Sequence, residues 1–225
     1  MDTPFPYGIS DTEIYRYLGY RGQTPEPPVL EKIQICKKRL MESVTPKAIW
    51  KYYDIHWCAD GSFLVEDIPI HSKNLSRNLK DCHMICFLAV TLGPAPDRFI
   101  QKAEITAMSD AVIYQAISAA MIESYCNHIN QVIKDEMMQR GLFTRPRFSP
   151  GYGDFPLEFQ KTLGQCLQMS KEIGVTLTDS LLMMPSKSVT AVIGIGTTNP
   201  NCTMAGCEVC NKSRTCLYRR TPEGE

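Results

Sequence analysis

The residues best suited to hold a charged small molecule lie in one loop, residues 145–153, with the sequence Arg-Pro-Arg-Phe-Ser-Pro-Gly-Tyr-Gly. Its prolines fix backbone dihedrals, and its glycines lack Cβ atoms where a ligand could approach the backbone. The guanidinium groups of Arg145 and Arg147 suit a carboxylate, and Tyr152 offers a flat face to a ring or a cation. On these residues alone, the loop is either a cradle for a zwitterionic sulfonium nucleoside or an ordinary connector between two helices.

A second group of reactive residues is the cysteine cluster at Cys202, Cys207, Cys210 and Cys216. In a reducing compartment such a cluster is more often a metal site than a disulfide framework. The first three cysteines match the start of the plant-type ferredoxin pattern, C-x4-C-x2-C, although the fourth cysteine is remote in that pattern. A four-cysteine zinc site usually has two close pairs with a longer spacer, which is not the spacing here. We expect an iron-sulfur cluster or zinc, with free or disulfide-forming thiols as the alternative. The other six cysteines are predicted to be buried small hydrophobes: Cys36, Cys58, Cys82, Cys86, Cys126 and Cys166.

The overall composition excludes several classes of partner. Lys plus Arg and Asp plus Glu both number 24, which gives no general attraction to nucleic acid or to an anionic membrane. The first twenty residues contain acidic side chains and no apolar core of a signal peptide, and the apolar run 84–90 is too short to span a bilayer. We expect a soluble cytoplasmic protein. The histidines are dispersed and are interpreted as structural: His56, His71, His83 and His128.

The periodicity of apolar residues predicts helices grouped between strands, which favours an α+β fold. Helices are predicted at 29–46, at 96–140 with Gly141 as the stop, and at 157–173 with Asp154 as the N-cap. Strands are predicted at 62–70 and 84–92, and as a pair formed by 181–184 and 188–196. The chain then divides into an N-terminal arm at 1–28, a core at 29–198 and a cysteine-rich metal-binding tail at 199–225.

Three sequence blocks carry a resemblance to a known family. Residues 147–152, Arg-Phe-Ser-Pro-Gly-Tyr, resemble the Arg-Pro-Ala-Pro-Gly-Tyr loop of the activation domain of cobalamin (vitamin B12)-dependent methionine synthase. Residues 173–180 are similar to its Ile-Gly-Val-x-Leu-Thr-Glu-Ser segment, and residues 183–189 to its Met-Trp-Pro-x-x-Ser-Val segment. The blocks occur in the family's order and at compatible spacing.

This resemblance implies a bent, mainly antiparallel sheet with long helices packed on it, and a site for S-adenosylmethionine. Arg147 would meet the methionyl carboxylate, backbone groups of Ser149 and Gly151 would contact the adenosine, and Tyr152 would pack beside it. Glu123 matches a ligand-binding glutamate on the preceding long helix. The chain departs from the family at Phe148 and Ser149, where the family has Pro and Ala, and in having the cysteine tail where the family has an aromatic segment.

The implied function is the reductive methylation of inactive cob(II)alamin, with S-adenosylmethionine as the methyl donor. The corrinoid would be supplied by a separate methionine synthase that lacks its own activation domain, and electrons by a donor such as flavodoxin or ferredoxin. The chain would be an accessory component of a methyltransferase system rather than a complete enzyme. The segment 54–59 is similar to the Asp-x-His-x-x-Gly cobalamin motif but ends in Ala, so we do not interpret it as a cobalamin ligand.

Three alternatives remain open from the residues. A conventional S-adenosylmethionine-dependent methyltransferase would need a Gly-rich turn before a helix, but the Gly-Ile-Gly at 194–196 has no helix after it. A metal-binding interaction protein would use only the cysteine tail. A corrinoid reductase-like electron carrier would use an iron-sulfur cluster in that tail.

Overall fold

The central feature of the computed structural model, which describes residues 7–20 and 22–199, is a six-stranded antiparallel sheet in the order β3-β2-β1-β4-β8-β5. A separate two-stranded sheet pairs β6 with β7. The strands are β1 (Lys47–Trp57), β2 (Phe63–Val65), β3 (Ile68–Ile70), β4 (Cys82–Thr91), β5 (Phe143–Thr144), β6 (Thr176–Leu177), β7 (Met183–Met184) and β8 (Ser188–Gly196).

Helices cover both faces of the large sheet. They are α1 (Asp11–Tyr17), α2 (Pro27–Met41), α3 (Lys73–Asn78), α4 (Ala95–Thr106), α5 (Met108–Gln139), α6 (Phe159–Leu167) and α7 (Met169–Glu172). Helices α1, α2, α4 and α5 pack on one face, and α3, α6 and α7 on the other. No helix in the described ranges is long and apolar enough to cross a membrane.

The strand β4 supplies core residues to both faces because successive side chains of a strand point in opposite directions. Cys86 and Leu88 belong to the cluster beneath α5, whereas Ile85 and Phe87 belong to the cluster beneath α6. Burial on both faces explains why this strand is a continuous apolar run in the sequence. The fold is therefore α+β with a mainly antiparallel sheet, as the sequence predicted.

The predicted helix at 96–140 is two helices. Ala107 has an extended backbone, with φ −164° and ψ 88°, and it separates α4 from α5. The two helices then pack against each other, and α5 runs on for 32 residues along the sheet. Gly141 has φ 71° after the end of α5, which confirms its predicted left-handed conformation.

Three further predictions of local structure are wrong. The predicted strand at 62–70 is the hairpin of β2 and β3, with a turn at Glu66, whose φ is 52°. The segments 181–184 and 188–196 do not pair: β7 turns back onto β6, while β8 pairs with β4 and β5. The turn at Leu181, with φ 64°, closes the tight β6–β7 hairpin and removes β7 from the large sheet. The predicted helix at 157–173 is broken at Gln168, whose φ of 52° ends α6 before α7 begins.

Gly194 lets the neighbouring elements close over β8. A Cβ atom at this position would lie 2.6 Å from Leu79 Cδ2, 2.8 Å from Cys82 Sγ and 3.0 Å from Arg145 Cγ. The glycine is therefore needed for close packing rather than for a cofactor-binding turn.

We expect Gly194→Ala to lower the free energy of unfolding by about 1–3 kcal/mol, because the added methyl group overpacks the core. Urea denaturation of the full chain measures the effect. Gly8→Ala is the matched control, since nothing lies within 4 Å of a Cβ built at Gly8. Equal transition midpoints for the two variants would contradict the packing described above.

Candidate functional site

The predicted binding loop extends the edge of the large sheet beyond β5. The amide of Arg145 donates to the Gly194 carbonyl at 2.7 Å. Further along, the amide of Phe148 donates to the Val192 carbonyl at 2.9 Å, and the Val192 amide donates back at 2.8 Å. The first half of the loop is thus fixed to β8 by backbone hydrogen bonds.

The tip of the loop is a tight turn formed by Ser149, Pro150, Gly151 and Tyr152. The Tyr152 amide donates to the Ser149 carbonyl at 3.2 Å, and Gly151 has φ 89°. Proline at the second position and a glycine with positive φ at the third are the signature of a type II turn. The Gly151 amide donates to the Phe155 carbonyl at 2.8 Å, so a ligand contact by the Gly151 backbone would have to use its carbonyl oxygen.

The end of the loop is anchored on α3 through Asp154. Its carboxylate accepts hydrogen bonds from the Ser72 hydroxyl, from the Lys73 amide at 2.8 Å and from the Asn74 amide at 3.0 Å. The hydrogen bond from Ser72, followed by those from the two amides, lowers the pKa of Asp154. The prediction of Asp154 as the N-cap of the next helix is wrong. Its carboxylate instead accepts hydrogen bonds from the N-terminus of α3, where Asn74 lies 80 residues before Asp154 in the sequence.

The two arginines of the loop have different environments. Arg145 is buried, its side chain donates from Nη2 to the Lys80 carbonyl at 3.1 Å, and it lies beside Cys82. At the next residue of the loop, the Pro146 carbonyl accepts a hydrogen bond from Asn78 Nδ2 at 3.3 Å. Arg145 therefore joins the loop to the connection between α3 and β4 and does not present its charge to solvent.

Arg147 instead faces α5, where its Nη2 donates to Glu123 Oε2 at 3.3 Å. The side chains are 22% and 37% exposed, so the pair borders solvent. The other terminal nitrogen, Arg147 Nη1, is buried and has no hydrogen-bond partner within the described part of the chain. One turn further along α5, burial raises the pKa of the Cys126 thiol to about 12, so the pair lies next to a neutral, apolar side chain.

The structure brings the sequence-predicted site residues into one region. Glu123 and Arg147 form an ion pair between α5 and the loop, while Ser149, Gly151 and Tyr152 form the adjoining turn. Tyr152 is 63% exposed, so its ring is accessible to a ligand. A cation and an anion side by side complement a zwitterion, whose carboxylate and ammonium groups have the opposite arrangement.

Sequence reasoning missed the contacts that position this pair. The role of α3 carries no local signal, because Ser72 lies 82 residues from Asp154 and Asn78 lies 68 residues from Pro146. The N-terminal arm was predicted, but not its contact with α5, where the Ser124 hydroxyl donates to the Gly8 carbonyl at 2.7 Å, at the position that follows Glu123.

The predicted metal ligands Cys202, Cys207, Cys210 and Cys216 lie outside the described residues. Within residues 7–20 and 22–199, no group of three or more His, Cys, Asp or Glu side chains could hold a metal ion. Four of the other six cysteines are buried, as predicted, whereas Cys58 and Cys166 are only partly buried. The four histidines are exposed and lie on different elements or connections.

The sheet, the long helix and the stiff edge loop define an α+β domain that presents a paired acid and base to solvent. A family model described as "Vitamin B12 dependent methionine synthase, activation domain" matches residues 78–218. The chain belongs to this family, which confirms the resemblance found in the sequence. The match extends past residue 198, where the core was predicted to end, and into the cysteine-rich segment.

A solved structure supports the same fold. The chain is similar to a protein whose structure is entitled "Crystal Structure of the MetH Reactivation Domain bound to AdoHcy", with a TM-score of 0.65 and 14% sequence identity. The similarity covers 88% of this chain and 76% of that one. The search of curated proteins found no match.

The anchor on α3 predicts a pH-dependent contribution to stability. Because the pKa of Asp154 is lowered in the folded state, its contribution is present above the unfolded pKa of about 3.9 and is lost as the pH falls through the folded value. We expect Asp154→Asn to lower the melting temperature at pH 7, and the difference from the unmodified chain to shrink as the pH falls below the unfolded value and through the lowered folded one. Asp179→Asn, at an exposed position, is the control; equal effects of the two substitutions at pH 7 would contradict the anchoring role.

Proposed function

We propose that the chain binds S-adenosylmethionine between α5 and the loop at 145–153. In this role it supports the reductive methylation of cob(II)alamin on a separate cobalamin-dependent methionine synthase that lacks its own activation domain. Membership of the activation-domain family supports the proposal. The similar solved structure also supports it, because that protein is bound to AdoHcy, the product that S-adenosylmethionine leaves after it has donated its methyl group.

The observation that carries the proposal is the buried Nη1 of Arg147, beside the Arg147–Glu123 pair. A buried donor without an acceptor costs about 1–3 kcal/mol, and a carboxylate is the acceptor that a guanidinium binds best, through two parallel hydrogen bonds. The methionyl carboxylate of the donor would satisfy Nη1. The Glu123 carboxylate would then face the cationic ammonium group of the same amino-acid moiety.

The turn would hold the nucleoside end of the donor. Tyr152 is exposed and can lie against the adenosine, and the Gly151 and Ser149 carbonyl oxygens can accept hydrogen bonds from it. The rigid backbone matters here, because a turn that is already fixed loses little conformational entropy when a ligand binds.

The proposed chemistry requires alignment rather than acid–base catalysis. When bound, S-adenosylmethionine supplies a methyl group to the reduced cobalt of the partner's corrinoid, and the leaving group is a neutral thioether. The residues of this chain bind the donor at its amino-acid end and hold its sulfonium group in a fixed position for the partner. The electron for cobalt reduction would come from a donor such as flavodoxin or ferredoxin.

We expect Arg147→Ala to weaken S-adenosylmethionine binding by about 1–3 kcal/mol, or roughly 5- to 150-fold, because a charge-assisted contact is lost. Glu123→Gln should weaken it in the same direction. Isothermal titration of the full chain measures both. Arg140→Ala is the matched control. Arg140 directly follows α5 and forms an exposed ion pair of 2.6 Å with Glu136, which lies in the last turn of that helix. An affinity of Arg147→Ala equal to that of the control would contradict the placement of the site.

We further propose that Cys202, Cys207, Cys210 and Cys216 bind an iron-sulfur cluster or zinc. The compact spacing of the four thiols supports this proposal. The competing function is a metal-binding interaction protein, either an electron-transfer or a zinc protein, without methyl-donor chemistry. A chain that retains metal but does not bind S-adenosylmethionine would favour that function.

Anaerobic purification followed by metal and sulfide analysis tests the tail directly. We expect either iron with inorganic sulfide or one zinc per chain, and we expect Cys207→Ser together with Cys210→Ser to remove the metal. Four freely titratable thiols in the anaerobically purified chain, with no metal, would contradict the proposal.

A further inference from the structure

The loop contains an extra residue where it pairs with β8. The strand β5 pairs with β8 residue for residue, and the Arg145 amide continues that register by donating to the Gly194 carbonyl. Phe148 then pairs with Val192 through two hydrogen bonds, of 2.9 and 2.8 Å. Three steps along the loop therefore match two steps along β8. This is a β-bulge, in which residues 146–147 oppose a single residue of the neighbouring strand.

The directions of the side chains show the same bulge independently. A Cβ atom at Gly194 would lie 3.0 Å from Arg145 Cγ and 2.6 Å from Leu79 Cδ2, on the face of the sheet that α3 and α6 cover. Phe148 packs on that face too, with its ring centre 6.2 Å from that of Phe155. Residues three apart in a regular strand point to opposite faces, so the extra residue must lie between these two.

The bulge decides which face Arg147 occupies. Arg147 lies opposite Ile193, which belongs to the core cluster beneath α5, and its guanidinium reaches Glu123 on that helix. If the register of β5 continued without a bulge, Arg147 would lie opposite Val192, which belongs to the cluster on the other face. A slip of one residue sends every following side chain to the opposite face of a sheet. The unbulged register would therefore turn the guanidinium away from α5.

Two residues hold the bulge in place. Pro146 has no amide hydrogen, so the irregular position leaves no backbone donor without a partner. Its carbonyl oxygen accepts a hydrogen bond from Asn78 Nδ2 at 3.3 Å. Asn78 is the last residue of α3, and the fully buried Leu75 and Leu79 on either side of it fix that helix in the core. The bulge is thus tied to a rigid element on the face opposite to α5.

We propose that Asn78 and Pro146 are positioning residues for the methyl-donor site, because the bulge that they hold keeps Arg147 on the α5 face. This inference rests on the proposed function. Neither residue needs to touch the donor. Their effect comes through the fraction of chains in which Arg147 faces α5, since the apparent affinity of a ligand falls in proportion to the fraction of binding-competent protein.

The first test compares Asn78→Ala with the unmodified full chain by isothermal titration. We expect S-adenosylmethionine to bind about two- to tenfold more weakly, because the Pro146 carbonyl loses its partner and the bulge is held less firmly. The ligand 5′-methylthioadenosine, which lacks the amino-acid end of the donor, should bind as before. Ser76→Ala is the matched control, since it removes another hydrogen bond from α3 to a backbone carbonyl, that of Gly61 at 3.2 Å, outside the loop.

Deletion of Pro146 separates positioning from general stability. Without the extra residue, Arg147 lies opposite Ile193 in a regular ladder and needs no bulge to face α5. We therefore expect Asn78→Ala to leave S-adenosylmethionine affinity unchanged in the chain that lacks Pro146. An equal loss of affinity in both backgrounds would show that Asn78 acts through overall stability and would overturn the inference.

The single substitutions decide the question whatever the deletion does to folding. Equal affinities of Asn78→Ala and Ser76→Ala for S-adenosylmethionine would overturn this inference alone. So would a loss in Asn78→Ala that is equally large for 5′-methylthioadenosine. Failure of the unmodified chain to bind S-adenosylmethionine would instead overturn the proposed function itself.

Discussion

The arrangement depends on one ion pair, between Arg147 on the edge loop and Glu123 on α5. The two charges are 3.3 Å apart, yet both remain partly accessible, so water weakens their attraction and the pair alone cannot hold two elements together. The surrounding structure must fix the geometry instead. Backbone hydrogen bonds to β8 hold the loop, and packing of α5 in the core holds the helix.

The same requirement explains the role of α3. A loop at the edge of a sheet has hydrogen bonds to one neighbour only, and it could otherwise move away from α5. Asp154 anchors the end of the loop to the N-terminus of α3, Asn78 holds Pro146, and Arg145 reaches the chain just after the helix. These contacts with α3 and with the chain that follows it keep Arg147 pointing at Glu123. They also explain why the loop has two arginines, since Arg145 anchors the loop while Arg147 faces α5.

Much of the fold and of the site followed from the sequence where the signal was local. The apolar run of β4, the long apolar periodicity of α5 and the Pro-Gly turn are properties of neighbouring residues, and each occurs where the sequence indicated. The strand β1 received no specific prediction although it lies within the sheet, because its side chains other than Ile55 are half-buried or exposed and give no clean alternation. The partners of β8 and Asp154 are set by the tertiary fold, so the local pattern suggested the wrong neighbours.

The central claim is that Arg147 recognises the amino-acid end of the methyl donor, and a comparison of two ligands tests it most directly. Titration of the full chain and of Arg147→Ala with S-adenosylhomocysteine and with 5′-methylthioadenosine, which lacks the carboxylate and ammonium groups, isolates that contact. We expect the unmodified chain to prefer S-adenosylhomocysteine, and we expect Arg147→Ala to lose most of this preference while binding 5′-methylthioadenosine as before. A preference that is fully retained in Arg147→Ala would show that the carboxylate is bound elsewhere and would contradict the account.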